Sequence, residues 1–402
     1  MKHQRYEEMK AAAEQGDFVK ARVINRELIN MNSVDADGTA LFYPTYIQLE
    51  HTNKCNAECI MCNHFYLGNR GGQELLPSIV EKLKPILPYC STIMLNGVGE
   101  PFLVKNITDF LTIYSEYGIK IGTNTNLSFL IDELLDVISK HFSSLNISCD
   151  GCTAATYEHI RRGLRFDLFK KNLDKLNMAA PNIRKSLDCV VMRQNINEVI
   201  DIVHFAKEHN FERVTFTMLR VNSYLDNQQD SIRSFINYAA LKLQQAIIAA
   251  DEIGIKVFVP MECKFMFDES LAKQEQMHTN FSLDDDIAKK QQILKIKLND
   301  LQLSTDYLNK QVTYDDLNNR QYCYGKPCQW ALERCYIDIT GKLTTCCYNM
   351  FGYFGNLSDK QSTFQNIWNG GMYKTFRKNL LIGKLPRWCY SCEFILSGGK
   401  IQ

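Results

Sequence analysis

The chain has 402 residues, with 46 basic against 45 acidic side chains and a net charge of +1 at neutral pH. That length suits one large domain with a smaller companion, and the balanced charge gives no reason to expect a nucleic-acid or anionic-membrane partner. No apolar stretch approaches the roughly eighteen residues a bilayer span requires, and residues 1–8 open a charged helix in place of an apolar signal core, so a cytoplasmic protein is expected.

Residues 1–31 read as two short helices broken at Gly16-Asp17, where glycine ends the first and aspartate caps the second. They make residues 1–43 a helical N-terminal extension. From Pro44 onward, apolar strand-like runs alternate with helix-period segments. The predicted strands are 46–50, 91–95, 119–123, 144–149, 187–192 and 212–217. The clearest helix is 196–209, where Ile196, Val199, Ile200 and Val203 share one face. Six βα units in a row over residues 44–260 predict an α/β fold with a parallel sheet and right-handed crossovers, open or curled into a barrel. Residues 261–320 break the pattern. They are polar, yet Leu294, Leu298, Leu301 and Leu308 recur at helical spacing, which predicts a helical linker that either packs on a surface or serves as a solvated spacer. Residues 321–402 form a small cysteine-rich module.

Fifteen cysteines is a high and odd count, and with no signal sequence metal ligation is a better reading than disulfides. They cluster at 55–62 and 323–392, whereas Cys90, Cys149, Cys152, Cys189 and Cys263 scatter as small buried residues would. Cys55, Cys59 and Cys62 occupy one loop directly after the first strand. Structural metal sites use four protein ligands, so three thiolates in eight residues suit a cubane cluster with one iron left open to a small molecule. The competing reading is a structural zinc loop completed by His51 or His64. Polar and glycine-rich residues also follow the next three strands, at 96–101, 123–126 and 148–151. In a parallel barrel these positions share the C-terminal rim, where active sites are built.

The run Cys55-Asn56-Ala57-Glu58-Cys59-Ile60-Met61-Cys62 resembles the signature of radical S-adenosylmethionine (radical SAM) enzymes. The resemblance implies a partial (β/α)6 TIM-like barrel and a [4Fe–4S] cluster whose open iron chelates S-adenosylmethionine. One electron then releases a 5′-deoxyadenosyl radical that abstracts a substrate hydrogen; the cofactor carries the hard step. Met61 takes the large position beside the adenine. Gly97-Val98-Gly99-Glu100-Pro101 is similar to the family's Gly-Gly-Glu-Pro element, with one residue more, so Gly97, Gly99 and Glu100 are expected to hold the methionyl ammonium. Asn124 closes the third strand and is expected at the cofactor. Ser148-Cys149-Asp150-Gly151 resembles the family's Ser-x-Asp-Gly stretch. It implies that Ser148 bonds the cofactor, that Arg161 or Arg162 pairs with its carboxylate, and that Asp150 faces the substrate as a base.

Cys328, Gly341, Cys346, Cys389 and Cys392 are similar in spacing to a SPASM domain, in the shortened single-cluster form called a twitch domain. The resemblance implies an auxiliary [4Fe–4S] cluster on Cys328, Cys346, Cys389 and Cys392. A zinc ribbon uses the same four soft ligands. Cys323 and Cys347 are spare ligands, and Cys335 is structural. An oxidoreductase-type enzyme acting on a small or sugar-like substrate is expected, fed by a flavodoxin- or ferredoxin-type electron donor. The N-terminus reads as too short and too helical for the strand-rich leader-binding module of peptide maturases, which can also be a separate protein, and one auxiliary cluster resembles small-molecule dehydrogenases. A maturase modifying a peptide or protein is the alternative; an iron–sulfur or zinc scaffold is more remote.

Overall fold

The polarity of alternate residues decides how the strands lie. In β1 (Tyr46–Leu49), β2 (Thr92–Met94), β3 (Lys120–Thr125), β4 (Phe142–Ser148), β5 (Arg184–Val191) and β6 (Arg213–Met218), one face carries Ile47, Leu49, Ile93, Ile121, Leu145, Ile147, Leu187, Val191, Val214 and Phe216. All of these lie in the main apolar core. The other face carries Gln48, Asn124, Asn146, Ser148, Asp188 and Thr215, which are only half-buried. The period of two makes this sorting automatic once one face is covered. A computed structural model describes residues 1–62, 64, 72–221, 227–264, 268–276, 279, 320–322, 328–346, 352–386 and 389.

Each of these strands pairs in parallel with the next in sequence. Sequential order with right-handed crossovers places every connecting helix on the same side. Those helices are α3 (Pro77–Leu83), α4 (Ile107–Glu116), α5 (Asp132–His141), α6 (Ala154–Ile160), α7 (Phe166–Ala179) and α8 (Val199–Glu208), numbered after the N-terminal α1 (Lys2–Glu14) and α2 (Phe18–Asn30). The predicted face of α8 is inward: Val199, Ile202, Val203 and Ala206 are buried, each large aliphatic contributing about 1.5–3 kcal/mol. After α9 (Ile236–Ile253), β7 (Lys256–Phe258) adds a seventh parallel strand beside β6.

The sheet does not stop at β1. Beyond α10 (Glu269–Gln276), β8 (Arg320–Tyr322) and α11 (Gln329–Glu333), the chain returns as β9 (Arg334–Ile337). β9 runs parallel to β1, with Tyr46 opposite Arg334 and Leu49 opposite Ile337. β10 (Lys342–Thr344) and β11 (Gly355–Asn356) follow antiparallel. The C-terminal module thus continues the core sheet, giving the order β11-β10-β9-β1-β2-β3-β4-β5-β6-β7. Its helices α12 (Phe364–Trp368) and α13 (Gly371–Leu381) precede β12 (Lys384–Pro386), which pairs with β8.

The N-terminal extension is tied to both modules. Asn25 bonds the carbonyls of Tyr43 and Tyr89, and the indole of Trp368 donates to the Phe42 carbonyl at 3.0 Å. Gly16 takes φ +78° between α1 and α2, a conformation that favours glycine, and the Asp17 carboxylate caps α2 by accepting from the Lys20 amide. Leu294, Leu298, Leu301 and Leu308 lie outside the described residues. Among the described residues, no helix is long and apolar enough to cross a membrane.

Candidate functional site

At the C-terminal end of β1 the backbone leaves the sheet at Glu50 and enters the cysteine loop. Glu58 N–H donates to the Arg162 carbonyl at 2.8 Å, and Ile60 N–H donates to the Ile160 carbonyl at 2.9 Å, so the loop is laced to the end of α6. Cys62 N–H closes a turn on the Cys59 carbonyl at 3.0 Å. The loop carries three thiols whose charges act on one another, while among the described residues no three His, Cys, Asp or Glu side chains are drawn together closely enough to hold a metal ion. Burial pushes Cys55 up to about 11 and Cys59 up to about 12, and it raises Cys62 as well. The Arg161 guanidinium, 3.9 Å from the Cys59 sulfur, opposes that rise. The amide of His64 donates to the Cys62 sulfur at 3.4 Å. Three sulfurs, Cys59 buried and Cys55 and Cys62 half-buried, that ionise only against a positive group have the donor chemistry of an iron–sulfur site, because a bound metal deprotonates its thiol ligands.

Neither histidine is poised to complete a zinc site. His51 bonds the Leu49 carbonyl through Nδ1 and the Tyr114 hydroxyl through Nε2, both at 2.9 Å. His64 Nε2 bonds the Asn53 carbonyl at 2.5 Å. Burial lowers His51 to about 4, which keeps it a neutral structural ring.

The loop after β2 packs directly on this strand end. A Cβ on Gly99 would lie 2.4 Å from the Thr52 carbonyl oxygen and 2.5 Å from that of Lys54, and one on Gly97 would lie 2.4 Å from Glu50 Cγ. Glycine at both positions is what lets two backbones meet here. Glu100 N–H donates to the Lys54 carbonyl at 2.6 Å. Met61 is half-buried and packs against a small apolar group of Ile60, Ile160, Met192 and Leu219. Asn124 accepts from the Asn146 side chain at 3.0 Å, and Ser148 ends β4 half-buried on the same face. These residues surround one mouth.

Three of the expected site residues have partners within the chain. Glu100 is buried and faces inward: its carboxylate accepts from the Thr125 hydroxyl at 2.6 Å, the Asn126 amide at 2.7 Å and the Phe102 amide at 3.3 Å. It braces the rim, and the loop backbone remains for a ligand. Asp150 is fully buried, forming a 2.6 Å ion pair with Arg161 and accepting from the Val190 amide at 2.7 Å. It is no open base. Arg161 is correspondingly engaged with Asp150 and lies against the Cys59 sulfur. Burial alone depresses Arg161, but Asp150 and then Cys59 carry it above its ordinary value, which keeps the guanidinium charged. Burial conversely raises the Asp150 carboxyl against the pull of Arg161, and the short ion pair keeps both groups ionised.

Sequence reasoning missed Glu50. Its buried carboxylate accepts from the Val98 amide at 2.5 Å, the Ile339 amide at 3.1 Å and the Tyr336 hydroxyl at 3.4 Å. The one available signal was an acidic residue closing an apolar strand. It also read Cys149, Cys152 and Cys189 as scattered; they act on one another beneath Asp150, with burial raising all three.

In the C-terminal module, Cys328 precedes α11, which leads into the start of β9, and Cys346 follows the end of β10. Because β9 and β10 are antiparallel, with Thr344 opposite Tyr336, these two cysteines reach the same end of the hairpin. That end lies beside the start of β1, away from the Cys55 loop. Cys389 is half-buried after β12. Cys392, Cys323 and Cys347 lie outside the described residues. Cys335 is fully buried in β9, as a structural thiol would be.

The sequence profile of the radical SAM superfamily matches residues 49–220, and that of the iron–sulfur cluster-binding SPASM domain matches residues 328–393. The tungsten-containing aldehyde ferredoxin oxidoreductase cofactor-modifying protein of Pyrococcus furiosus is 23% identical over 171 residues, covering 40% of this chain and 47% of that protein. The molybdenum cofactor biosynthesis protein moc-5 of Caenorhabditis elegans is 26% identical over 213 residues, covering 51% of this chain and 35% of its own. The chain therefore spans less than half the length of both relatives. Among solved structures, Streptococcus suis SuiB bound to precursor peptide SuiA superposes with TM-score 0.57 at 14% identity, over 91% of this chain and 74% of SuiB. That is a likeness of fold. The chain belongs to the radical SAM superfamily and carries a C-terminal SPASM domain, so its cofactors are a [4Fe–4S] cluster, S-adenosylmethionine and auxiliary iron–sulfur.

Proposed function

We propose that this radical SAM enzyme holds its catalytic cluster on Cys55, Cys59 and Cys62, binds S-adenosylmethionine against the 97–101 loop, and abstracts hydrogen from a small, sugar-like molecule. A cluster held on these thiolates, together with S-adenosylmethionine, would supply the one-electron chemistry for hydrogen abstraction. This chain's residues gather and shield. Arg161 places positive charge behind Cys59, Asp150 holds Arg161, and Gly97 and Gly99 bring a backbone loop onto the strand that delivers the thiols. The observation that carries the reading is the contact of the glycine loop with the 52–54 backbone immediately before Cys55.

A polar sheet face supports the substrate class. On the sheet face away from the helices, Asn124, Asn146, Ser148, Asp188 and Thr215 stay half-exposed, where stacked barrels usually carry branched apolar residues. Hydroxyl and amide groups of that kind suit a hydroxylated ligand. The names of the two curated relatives, a cofactor-modifying and a cofactor-biosynthesis protein, also concern small molecules. The second reading, a peptide or protein maturase, is favoured by the likeness to peptide-bound SuiB. Cys328, Cys346, Cys389 and Cys392 are proposed to ligate the auxiliary cluster. The register of β9 and β10, which puts Thr344 opposite Tyr336 near the start of β1, supports electron acceptance over substrate anchoring.

The test is anaerobic reconstitution with iron and sulfide counting, then dithionite and S-adenosylmethionine. Loaded wild-type chain should release 5′-deoxyadenosine, and Cys59→Ala should not. A fully loaded wild-type chain that releases none overturns the reading. Stimulation of release by sugars or cyclitols, but not by peptides, decides between the substrate classes.

A further inference from the structure

We propose that Glu50 is a positioning residue that ties the Gly97–Val98 turn to the C-terminal module and thereby sets the affinity for S-adenosylmethionine. The inference rests on the proposed use of the 97–101 loop as the cofactor cradle and deepens it. Glu50 is 2% exposed, and its main chain belongs to the β1–β9 seam, with its N–H donating to the Ile337 carbonyl at 2.9 Å. Its side chain crosses between modules. One carboxylate oxygen takes the Val98 amide of the glycine turn; the other takes the Ile339 amide, just beyond β9, and the Tyr336 hydroxyl. Gly97 has no side chain because Glu50 Cγ occupies that space.

The chemistry demands a carboxylate. Two backbone N–H groups from different modules each need an acceptor, and an ionised carboxylate offers one at each end. Glutamine must turn its NH₂ toward one of these donors, leaving a buried amide without a partner. The turn then has nothing to hold it against β9. Glycine-turn and C-terminal strand therefore share one anchor, which explains how a module added at the far edge of β1 reaches the cofactor loop.

Among the described residues, the groups facing Glu50 are few. The turn contributes Gly97 and Val98, which do not titrate, and the β9 side contributes Tyr336 and Asp338; on β1 itself, the adjacent His51 ring is engaged with Leu49 and Tyr114. Burial raises Glu50 to about 7, and the charge of Asp338 adds to that rise. The bridge accordingly weakens when the carboxyl takes a proton.

The experiment measures S-adenosylmethionine dissociation constants by equilibrium dialysis with the full, anaerobically reconstituted chain, from about pH 5.5 to about pH 8.5, bracketing the carboxyl. Iron content and thermal melting confirm that each variant is loaded and folded. At the alkaline end, Glu50→Gln should weaken binding about tenfold or more, the loss of one charge-assisted bond. The ratio of variant to wild-type constants should shrink toward one as pH falls below about 6, where the native bridge is itself protonated. Asp338→Asn keeps its capping oxygen for Thr340 and Lys342 but removes the neighbouring charge, so the wild-type break should move to lower pH. A ratio that is unchanged across pH, which a merely structural glutamate gives, overturns the inference, as does an unmoved break in Asp338→Asn. Both leave the radical SAM reading intact, whereas a loaded wild-type chain that binds no S-adenosylmethionine removes the cradle assignment and this inference together.

Discussion

Asp150→Asn is expected to destabilise the metal-free chain strongly, because it strips the counter-charge from a guanidinium that has nowhere to go. Asp150 is fully buried, Arg161 is 7% exposed, and their closest atoms are 2.6 Å apart. Removing one member of such a pair leaves an uncompensated buried charge and costs about 3–5 kcal/mol. Asparagine makes matters worse locally, since its single oxygen serves either Arg161 or the Val190 amide, which the carboxylate serves together. The double variant Asp150→Leu with Arg161→Met removes both charges and is expected to recover about half or more of that loss, because apolar replacement of a buried pair is often neutral. Urea unfolding under reducing, metal-free conditions gives the midpoints, read at unchanged slope so that stability alone is compared. A loss below about 1 kcal/mol in Asp150→Asn, within the range of an exposed pair, would refute the reasoning. So would simple additivity in the double variant.

Acid should loosen the β1 anchor through His51, whose folded pKa of about 4 lies below the usual 6.5. The unfolded chain then binds the proton first, so the stability that neutral His51 lends is complete above about pH 6.5 and lost as pH falls through 4; the span is about 3 kcal/mol. A His51→Gln chain should show that much less acid dependence in its urea midpoint, and an identical pH slope would contradict this. Gly99→Ala drives a methyl against the carbonyls of Thr52 and Lys54; it should lose S-adenosylmethionine binding by dialysis while keeping iron on the Cys55 loop, and unaltered affinity would show that the two backbones do not need to touch. Cys392→Ala should lower total iron and sulfide yet spare 5′-deoxyadenosine release, and unchanged iron would remove Cys392 from the auxiliary ligands.

The parts legible in sequence were those whose information is local. The thiols lie within eight residues, the strands announce themselves by alternation, and the rim loops follow each strand directly. Residue identities at the mouth were legible too, but their directions were not. Whether Glu100 points at a ligand or at Thr125 and Asn126 depends on where β3 ends, and Asp150 is claimed by Arg161 only after α6 folds back. Cys149, Cys152 and Cys189 looked scattered because β5 joins the sheet beside β4. β9 was the least legible element: Arg-Cys-Tyr-Ile is too short to signal a strand, and its partner lies far back in the chain, with Tyr46 opposite Arg334. Its pairing with β1 is a tertiary decision, taken where two apolar residues, Cys335 and Ile337, complete a core face already formed by Ile47 and Leu49.

That late pairing changes what β1 is. Without β9 it would be an edge strand, with one row of backbone groups open to solvent and an end free to fray. With β9 in place, β1 is interior, and its C-terminal end is pinned from both sides: by the Ile337 carbonyl to Glu50 N–H, and by Gly97 and Gly99 across the turn. The cysteine loop begins five residues after Glu50, and its own bonds to Ile160 and Arg162 reach the far wall of the mouth. A reactive site built on a loop needs a rigid support if its groups are to keep their geometry. Here the support is a strand that the C-terminal module itself makes rigid, so the module contributes to the catalytic mouth whatever its own cluster does. Deleting residues 328–402 should therefore impair S-adenosylmethionine binding more than Cys392→Ala does. Equal effects of the two, measured by dialysis on chains with matched iron at the Cys55 loop, would show that β9 pairing adds nothing to the mouth.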